Sequence, residues 1–532
     1  STGQIRVHPV MKRLMGIYGE GGWISSHATF DEGGQQLPMT ISNASAFILG
    51  AANYSASVYP FLSTGAANLI RNFGDESLKQ TYVPKLFSGQ WQGTMALTEP
   101  QAGSSLSDIT TIAYPQPDGT YRIKGQKIYI SCGDHDAVEN VVHLLLARIE
   151  GAPAGIKGIS LFVVPKRIEK DGALVGNDVI TAGIYHKMGY KGAPIAHLMF
   201  GESDNCSGFL VGHANHGLSY MFHMMNEARI AVGMSAASIA SAAYYGSLEY
   251  AKIRSQGRKP SGKDLSQDQI PIIDHPDVRR MLLFQKATLE GSLSLLIYCS
   301  KLADIHFAAQ GPEKERTGLL LDILTPIAKT YPSEMGCLST GAAVQILGGA
   351  GYLQDFPIEQ FYRDMRIHPI HEGTTGIHGI DLLGRKIRMA NGQALHLLLE
   401  TIADSLGKAA KYPELTEYLI VYRKFLNDFD VITKHLTKVL HQKGPDYYLA
   451  DASLYLELTG IMVIGWQWFL QICEVMSLKN QAQNPALSKF INSKLRAFEY
   501  YFEYEIPKYY ALKTKLLSAS TLTADLDSSE II

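Results

Sequence analysis

The feature that most limits the fold is a change of periodicity near residue 91, reversed near residue 216. Before it, Asn43 to Leu49, Ala51 to Leu62 and Ala66 to Arg71 are rich in Ala, Leu and Ser, with apolar residues at helical spacing. Gly19 to Trp23 and Gly33-Gly34 read as turns between helices. Asn72 to Glu76 stops one helix, and Asp75 or Ser77 caps the next, which runs through Lys85. After residue 91 the spacing falls to two. Met95-Ala96-Leu97, Ile109 to Tyr114, Tyr121 to Gly125, Lys127 to Ser131, Val141 to Ala147, Ile159 to Val164 and His197 to Phe200 are strand candidates. Asp118-Gly119 between them is a hairpin signal. Helical spacing then returns in Gly217 to Ile253, where Ala236, Ala237, Ala240, Ala242 and Ala243 permit close packing. After a polar loop over 257–274, Pro276 and Asp277 suit the first turn of a helix through Ala303, and another helix covers about 318 to 346. The order is α, then β, then α, with no internal repeat.

A chain of 532 residues is too long for one core. Hydrophobic residues at 46% and charged residues at 18% describe an ordinary globular composition with large buried surfaces. A net charge of −2 supplies no electrostatic footprint for nucleic acid or an anionic membrane. Cys132, Cys206, Cys299, Cys337 and Cys473 are scattered, odd in number and without C-x-x-C spacing. They read as reduced core thiols in a cytosol-like compartment, with no disulfide and no metal site. Ser1 to Gln4 shows no apolar stretch of a signal peptide. The most apolar uncharged run, Leu458 to Cys473, is shorter than the roughly 20 residues of a spanning helix and carries Gln467 and Gln471. It reads as a buried helix, so no integral membrane segment is expected.

The chemistry concentrates at Ile370-His371-Glu372-Gly373-Thr374-Thr375-Gly376-Ile377. A Glu followed by Gly leaves its backbone N–H open to a ligand, and two hydroxyls follow where a helix can start. A carboxylate beside such a turn is what proton abstraction next to a carbonyl requires. Upstream stand Gln345-Ile346-Leu347-Gly348-Gly349-Ala350-Gly351-Tyr352 and Arg363-Asp364. In this order and spacing these segments resemble the C-terminal signature of the acyl-CoA dehydrogenases. Ile380 to Lys386 resembles a longer branch, which includes methylmercaptopropionyl-CoA dehydrogenases and broad-chain-length fatty acyl-CoA dehydrogenases with an added C-terminal domain.

The resemblance implies an α+β fold: an N-terminal helical domain (1–90), a middle antiparallel β domain (91–207), a C-terminal helical bundle (208–389), an additional helical domain (390–515) and a disordered tail (516–532). It implies FAD as cofactor. Leu97-Thr98-Glu99-Pro100-Gln101-Ala102-Gly103-Ser104 matches the family's flavin-binding segment, with Ser105 where an acidic residue is usual. Met95, Leu97, Thr98, Gly103 and Ser104 are its implied contacts. Tyr129, Ile130 and Ser131 stand in the strand that lies against the flavin, Tyr129 replacing the commoner Trp and Ser131 a Thr. Arg254 and Gln256, with Gln345, Gly348 and Gly349 of a neighbouring subunit, are implied to hold the pyrophosphate and adenosine, and Thr374 and Gly376 complete the cofactor set.

One relative carries its catalytic Glu just before the Arg of Asn226-Glu227-Ala228-Arg229, where Ala228 now stands, so the base falls to Glu372. Ser104, Asn226, Arg229 and Gly373 are the implied substrate contacts. The implied reaction is α,β-dehydrogenation of an acyl-CoA thioester to trans-enoyl-CoA: Glu372 takes the α-proton and the β-hydride goes to flavin N5. Electrons then pass to an electron-transferring flavoprotein. The shared cofactor site implies a homodimer or a dimer of dimers, and the expected location is cytoplasmic, or the mitochondrial matrix in a eukaryote. Two alternatives share the motifs: an acyl-CoA oxidase handing electrons to oxygen, and a non-catalytic flavoprotein of the same fold with a DNA-protective role. The near-neutral charge argues against the second.

Overall fold

The computed structural model describes residues 4–261, 266–479, 484–518 and 520–531. The polar loop read over 257–274 includes 262–265, which lie outside the described residues. The chain forms two compact units, residues 1–228 and 229–532.

The first unit opens with four helices, α1 (Val10–Glu20), α2 (Met39–Ala52), α3 (Tyr54–Phe73) and α4 (Glu76–Phe87). Side-chain caps start two of them: Asn53 accepts from the Ala56 N–H at 3.0 Å, and Asp75 from the Leu78 N–H at 2.8 Å. Ten strands follow: β1 (Trp91–Ala96), β2 (Ile112–Pro115), β3 (Tyr121–Ser131), β4 (Asn140–Ile149), β5 (Ile159–Pro165), β6 (Arg167–Lys170), β7 (Ala173–Gly176), β8 (Val179–Ile184), β9 (Ile195–Phe200) and β10 (Ser207–Leu210). Eight of them form one sheet in the order β1-β4-β5-β10-β3-β9-β8, with β2 pairing both β3 and β4. Most pairings are antiparallel, while β1 and β2 each run parallel to β4. Asn140 to Ala147 of β4 are buried at every position, so the strand is covered on both faces. Asp118-Gly119 lies in the turn between β2 and β3. The two-stranded hairpin β6–β7 turns on a second Asp-Gly pair, Asp171 (φ 52°) and Gly172 (φ 76°).

A fully buried ion pair ties the segment after β1 to β3. Lys127 and Glu99 are 0% and 1% exposed. The Lys127 ammonium donates to Glu99 Oε1 at 2.8 Å and to the Leu97 carbonyl at 3.0 Å. Thr110 N–H at 2.6 Å, Thr111 hydroxyl at 2.6 Å and Gln101 amide at 2.8 Å fill the remaining carboxylate positions. Burial pushes the Glu99 carboxyl up, but Lys127 and these donors outweigh it and hold it at about 2.

From the first unit, α5 (Gly217–Ile253) leads into the second. There follow α6 (Pro276–Ala308), α7 (Gly311–Leu347), α8 (Ile358–Met365), α9 (Thr375–Gly384), α10 (Gln393–Ala409), α11 (Thr416–Lys443), α12 (Pro445–Leu449), α13 (Ala452–Lys479), α14 (Pro485–Tyr500), α15 (Tyr509–Leu516) and α16 (Leu522–Asp525). By length and composition α13 is apolar enough to cross a membrane, yet 67% of its most apolar window is buried inside the fold. It is the central core helix of this unit. Trp466 donates to the Ser405 hydroxyl on α10, and Trp468 to the Ala287 carbonyl on α6, each at 3.0 Å. On α9, a Cβ at Gly379 would come within 2.8 Å of the Ala452 carbonyl, so the start of α13 lies directly against α9. The tail, read as disordered, carries α16, and Asp525 there accepts from the Tyr447 hydroxyl at 2.6 Å.

Lys127→Met is expected to strand a buried carboxylate and destabilise the first unit by about 3–5 kcal/mol, with partial recovery in Lys127→Met/Glu99→Gln. Amide hydrogen exchange in β1 and β3 measures both. The stability supplied by Glu99 is full above its ordinary value of 4.5 and is lost as the pH falls toward about 2, so the same exchange experiment in acid shows protection fading in that window. Trp468→Ala should remove about 3–5 kcal/mol from the second unit, read as a lowered midpoint in thermal melting of the helical signal.

Candidate active site

Between α8 and α9 the chain turns sharply at Glu372 (φ 52°) and Gly373 (φ 91°). A left-handed backbone is disfavoured for a residue with a Cβ by roughly 1–2 kcal/mol, so neighbours must hold Glu372 there. His371 N–H bonds the Ile367 carbonyl at 3.0 Å and Thr375 N–H bonds Pro369 at 3.1 Å, closing the turn from both sides. The Lys329 ammonium on α7 donates to the Gly373 carbonyl at 2.7 Å. His378 Nε2 lies 3.0 Å from the Glu372 carbonyl and must donate to it, since a carbonyl only accepts. Thr375 donates its hydroxyl to Glu334, and Thr374 caps α9 by accepting from the Ile377 N–H at 3.4 Å. A Cβ on Gly373 would sit 2.9 Å from His378 Nε2. That position requires glycine for both space and backbone angle.

Among the described residues, the N–H groups of Glu372 and Gly373 donate no hydrogen bond. Two free donors therefore flank one carboxylate. Glu372 is accessible to solvent at its surface, while the protein packed around it pushes its carboxyl above the ordinary range; Lys329 and then Arg229 pull it partly back. Burial lowers Lys329 to about 8, with Glu372 and Glu334 opposing. Burial also keeps His368 (lowered to about 4), His371 and His378 neutral. The turn thus brings a carboxyl group, a nearby cation and two backbone donors together in one place.

In the first unit, Thr98 is half-buried and Ser104 exposed, on the loop that Glu99 anchors. A Cβ added at Gly103 would meet Thr98 Cγ2 first, at 3.8 Å, so the loop has an open face. Met95 and Leu97 are half-buried, and the Leu97 carbonyl is taken by Lys127. Tyr129 sits in an irregularity of β3 between Lys127 and Ile130, at φ 60° and 59% exposed, its ring 4.7 Å from that of Tyr185. Ile130 points into the sheet core at 2% exposure, which leaves only its backbone for a ligand. The Ser131 hydroxyl is hydrogen-bonded to Tyr190.

The other expected contacts fall into separate places. Arg254 folds back on its own loop, donating to the Ser255 carbonyl at 2.6 Å and to Gln256 at 3.2 Å. Gln345, Gly348 and Gly349 are exposed where α7 ends, with open space beside both glycines. No hydrogen bond among the described residues joins these two groups. Asn226 is half-buried on α5. Arg229 is buried and engaged by Asp381 at 2.8 Å, so its guanidinium serves an ion pair within the second unit. Gly376 lies in the first turn of α9.

Sequence reasoning passed over Lys329, His378, Glu334, Asp381 and Lys127 as site-building residues. The signal for Lys329 was available: a lone cation inside the apolar run from Leu320 to Pro332. His378 lies six residues after Glu372, and nothing in the spacing alone shows that the turn folds it back.

Residues 94–203 match the acyl-CoA dehydrogenase middle domain, 215–387 the acyl-CoA dehydrogenase C-terminal domain, and 398–527 the domain described as acetyl-CoA dehydrogenase C-terminal like. The 3-methylmercaptopropionyl-CoA dehydrogenase of Ruegeria pomeroyi is 40% identical over 452 residues, covering 84% of this chain and 75% of that protein. The broad-specificity linear acyl-CoA dehydrogenase of Mycobacterium tuberculosis is 34% identical over 479 residues, covering 87% of this chain and 78% of that protein. The structure of a Bacillus anthracis acyl-CoA dehydrogenase complexed with FAD has the same fold, with a TM-score of 0.73, 21% identity, and 97% and 87% of the two chains covered. With identity at this level over three quarters of a relative's length, and three domain matches in order along the sequence, the chain belongs to the acyl-CoA dehydrogenase family.

Proposed function

We propose that the protein catalyses FAD-dependent α,β-dehydrogenation of an acyl-CoA thioester to a trans-enoyl-CoA, with Glu372 as the base. The observation that carries this reading is the left-handed turn: a carboxyl raised above its ordinary range beside two N–H donors that bond nothing else among the described residues. The α-proton of a thioester is too weakly acidic for a carboxylate alone. Donors fixed in advance at the developing enolate oxygen lower that barrier, and the N–H of Glu372 is placed to be one of them. Glu372 then holds the α-proton on its carboxyl oxygen.

The residues of the first unit fit a flavin. The loop from Thr98 to Ser104 has an open face rimmed by two hydroxyls, and the Ile128 N–H bonds the Thr98 carbonyl at 2.9 Å, one residue before the exposed ring of Tyr129 on β3. Such a set suits a flat heteroaromatic ring with a polar edge. Arg254 and Gln256, with Gln345, Gly348 and Gly349 of a neighbouring subunit, are the proposed holders of its phosphates and adenosine. When bound, FAD supplies the acceptor for the β-hydride, and an electron-transferring flavoprotein takes the electrons onward. The acyl group is proposed to be that of a fatty or thioether-containing acyl-CoA, in keeping with the two relatives.

Anaerobic titration of the FAD-loaded protein with acyl-CoAs of increasing chain length should bleach the flavin absorbance. Glu372→Gln should keep the flavin and lower the bleaching rate by about 10²–10⁴-fold or more. Because the working form of Glu372 is the carboxylate and its carboxyl is raised, the rate should fall as pH drops through that raised value. In air, turnover without a flavoprotein acceptor should give little peroxide. Steady peroxide formation would assign an oxidase instead, and no bleaching by any thioester would overturn the enzymatic reading.

A further inference from the structure

Lys329 has no exposed surface, and its one hydrogen bond among the described residues goes to the Gly373 carbonyl at 2.7 Å. Removing an ammonium from water is expensive, and a lysine persists there only where the surroundings compensate it. Among the described residues no carboxylate is within ion-pair contact of it. Glu372 and Glu334 act on it from farther away, against Arg229. Of the neighbouring titratable groups only Arg229 also acts on Glu372 as a cation, and more weakly than Lys329. His368, His371 and His378 are held neutral by burial, and Arg229 is engaged by Asp381, which Arg385 also contacts. Lys329 is therefore the cation next to the turn that no carboxylate contacts.

We propose that Lys329 is a positioning residue with two separable tasks: its N–H fixes the Gly373 carbonyl and so the left-handed turn, and its charge favours the ionised form of Glu372. The proposal rests on the reading of Glu372 as the base. The anchoring task follows from geometry, because the carbonyl it holds belongs to the residue after Glu372 and a freed turn would relax toward an ordinary backbone angle. The electrostatic task follows from placement. A cation that touches a carboxylate ties it up, whereas one held apart lowers the energy of the charged form and leaves both oxygens free for a proton. Since burial leaves Lys329 at about 8, the counter-charge fades in mild alkali.

Three substitutions separate the tasks. Lys329→Gln keeps an N–H donor and loses the charge, Lys329→Met loses both, and Lys329→Arg keeps the charge at every working pH. The first readout is the infrared carboxyl band of Glu372 in the full chain, identified by its loss in Glu372→Gln and followed against pH without turnover. Its midpoint should rise by about one pH unit or more in Lys329→Gln and Lys329→Met and stay near the parent value in Lys329→Arg. The second readout is flavin reduction by an acyl-CoA: the acid limb should move up with the band in the neutral variants and stay near the parent position in Lys329→Arg. A midpoint in Lys329→Gln equal to that of the parent would overturn the electrostatic task, and a merely structural lysine would lower the melting temperature without moving it. If the neutral variants do not fold, Lys329→Arg decides, and a Glu372 midpoint raised by about one pH unit or more despite the retained charge overturns the electrostatic task. If Glu372→Gln still reduces flavin at the parent rate, the base assignment itself fails. If Glu372→Gln is inactive and the midpoint does not move, only the role of Lys329 falls.

Discussion

Water gives up an ammonium reluctantly, and two lysines without exposed surface shape the working segment of each unit. Lys127 is paired in contact with Glu99, and that carboxylate then recruits Thr110, Thr111 and Gln101, so the charge is neutralised on the spot. The result is mechanical: the segment following β1 is tied down and only its outer rim is free. Lys329 is treated differently. It meets a carbonyl and stays out of contact with any carboxylate among the described residues, so its charge is felt over a distance. One buried cation builds a wall, and the other sets a field.

Backbone strain marks the same two places. Tyr129 and Glu372 both stand at positive φ, 60° and 52°, where a side chain is disfavoured. At Tyr129 the irregularity in β3 turns an aromatic ring outward from a strand whose neighbours, Lys127, Ile128 and Ile130, are buried. At Glu372 the turn exposes two N–H groups that a helix or strand would have consumed. In each case the unfavourable conformation yields a surface that regular structure would have hidden. The hydrogen bonds from Lys329 and to Glu372 from His378 are what over-determine the second of them.

Much of this was legible in the amino-acid order, for identifiable reasons. Gly217–Ile253 was readable end to end because an unbroken apolar period has no competing interpretation. Asp75 announced its helix because a short acceptor before an apolar run has one common use. The strands β6, β7, β8 and β10 went unread: they are four to six residues long and, β10 apart, mostly exposed, so alternation of apolar and polar residues never builds up, although Asp171-Gly172 marked one hairpin plainly. At the candidate site the carboxylate and its glycine stood out as a motif. Its supports did not, because Lys329 and Glu334 reach the turn from a helix some forty residues upstream in sequence, across tertiary packing that periodicity does not encode.

The burial of α13 has a consequence for how the protein is made. The helix that carries Thr375 to Gly384 leaves the ribosome well before the helix it packs against, Ala452–Lys479. At about 5–20 residues per second, the chain from the end of the first helix to the end of the second takes roughly 5–20 seconds to synthesise. Throughout that interval the partners of Trp466 and Trp468, on the helices Gln393–Ala409 and Pro276–Ala308, wait for the helix that completes their core. The nascent chain therefore offers chaperones a long-lived target. When α13 does emerge, it is apolar enough that prompt docking decides between a core and an aggregate.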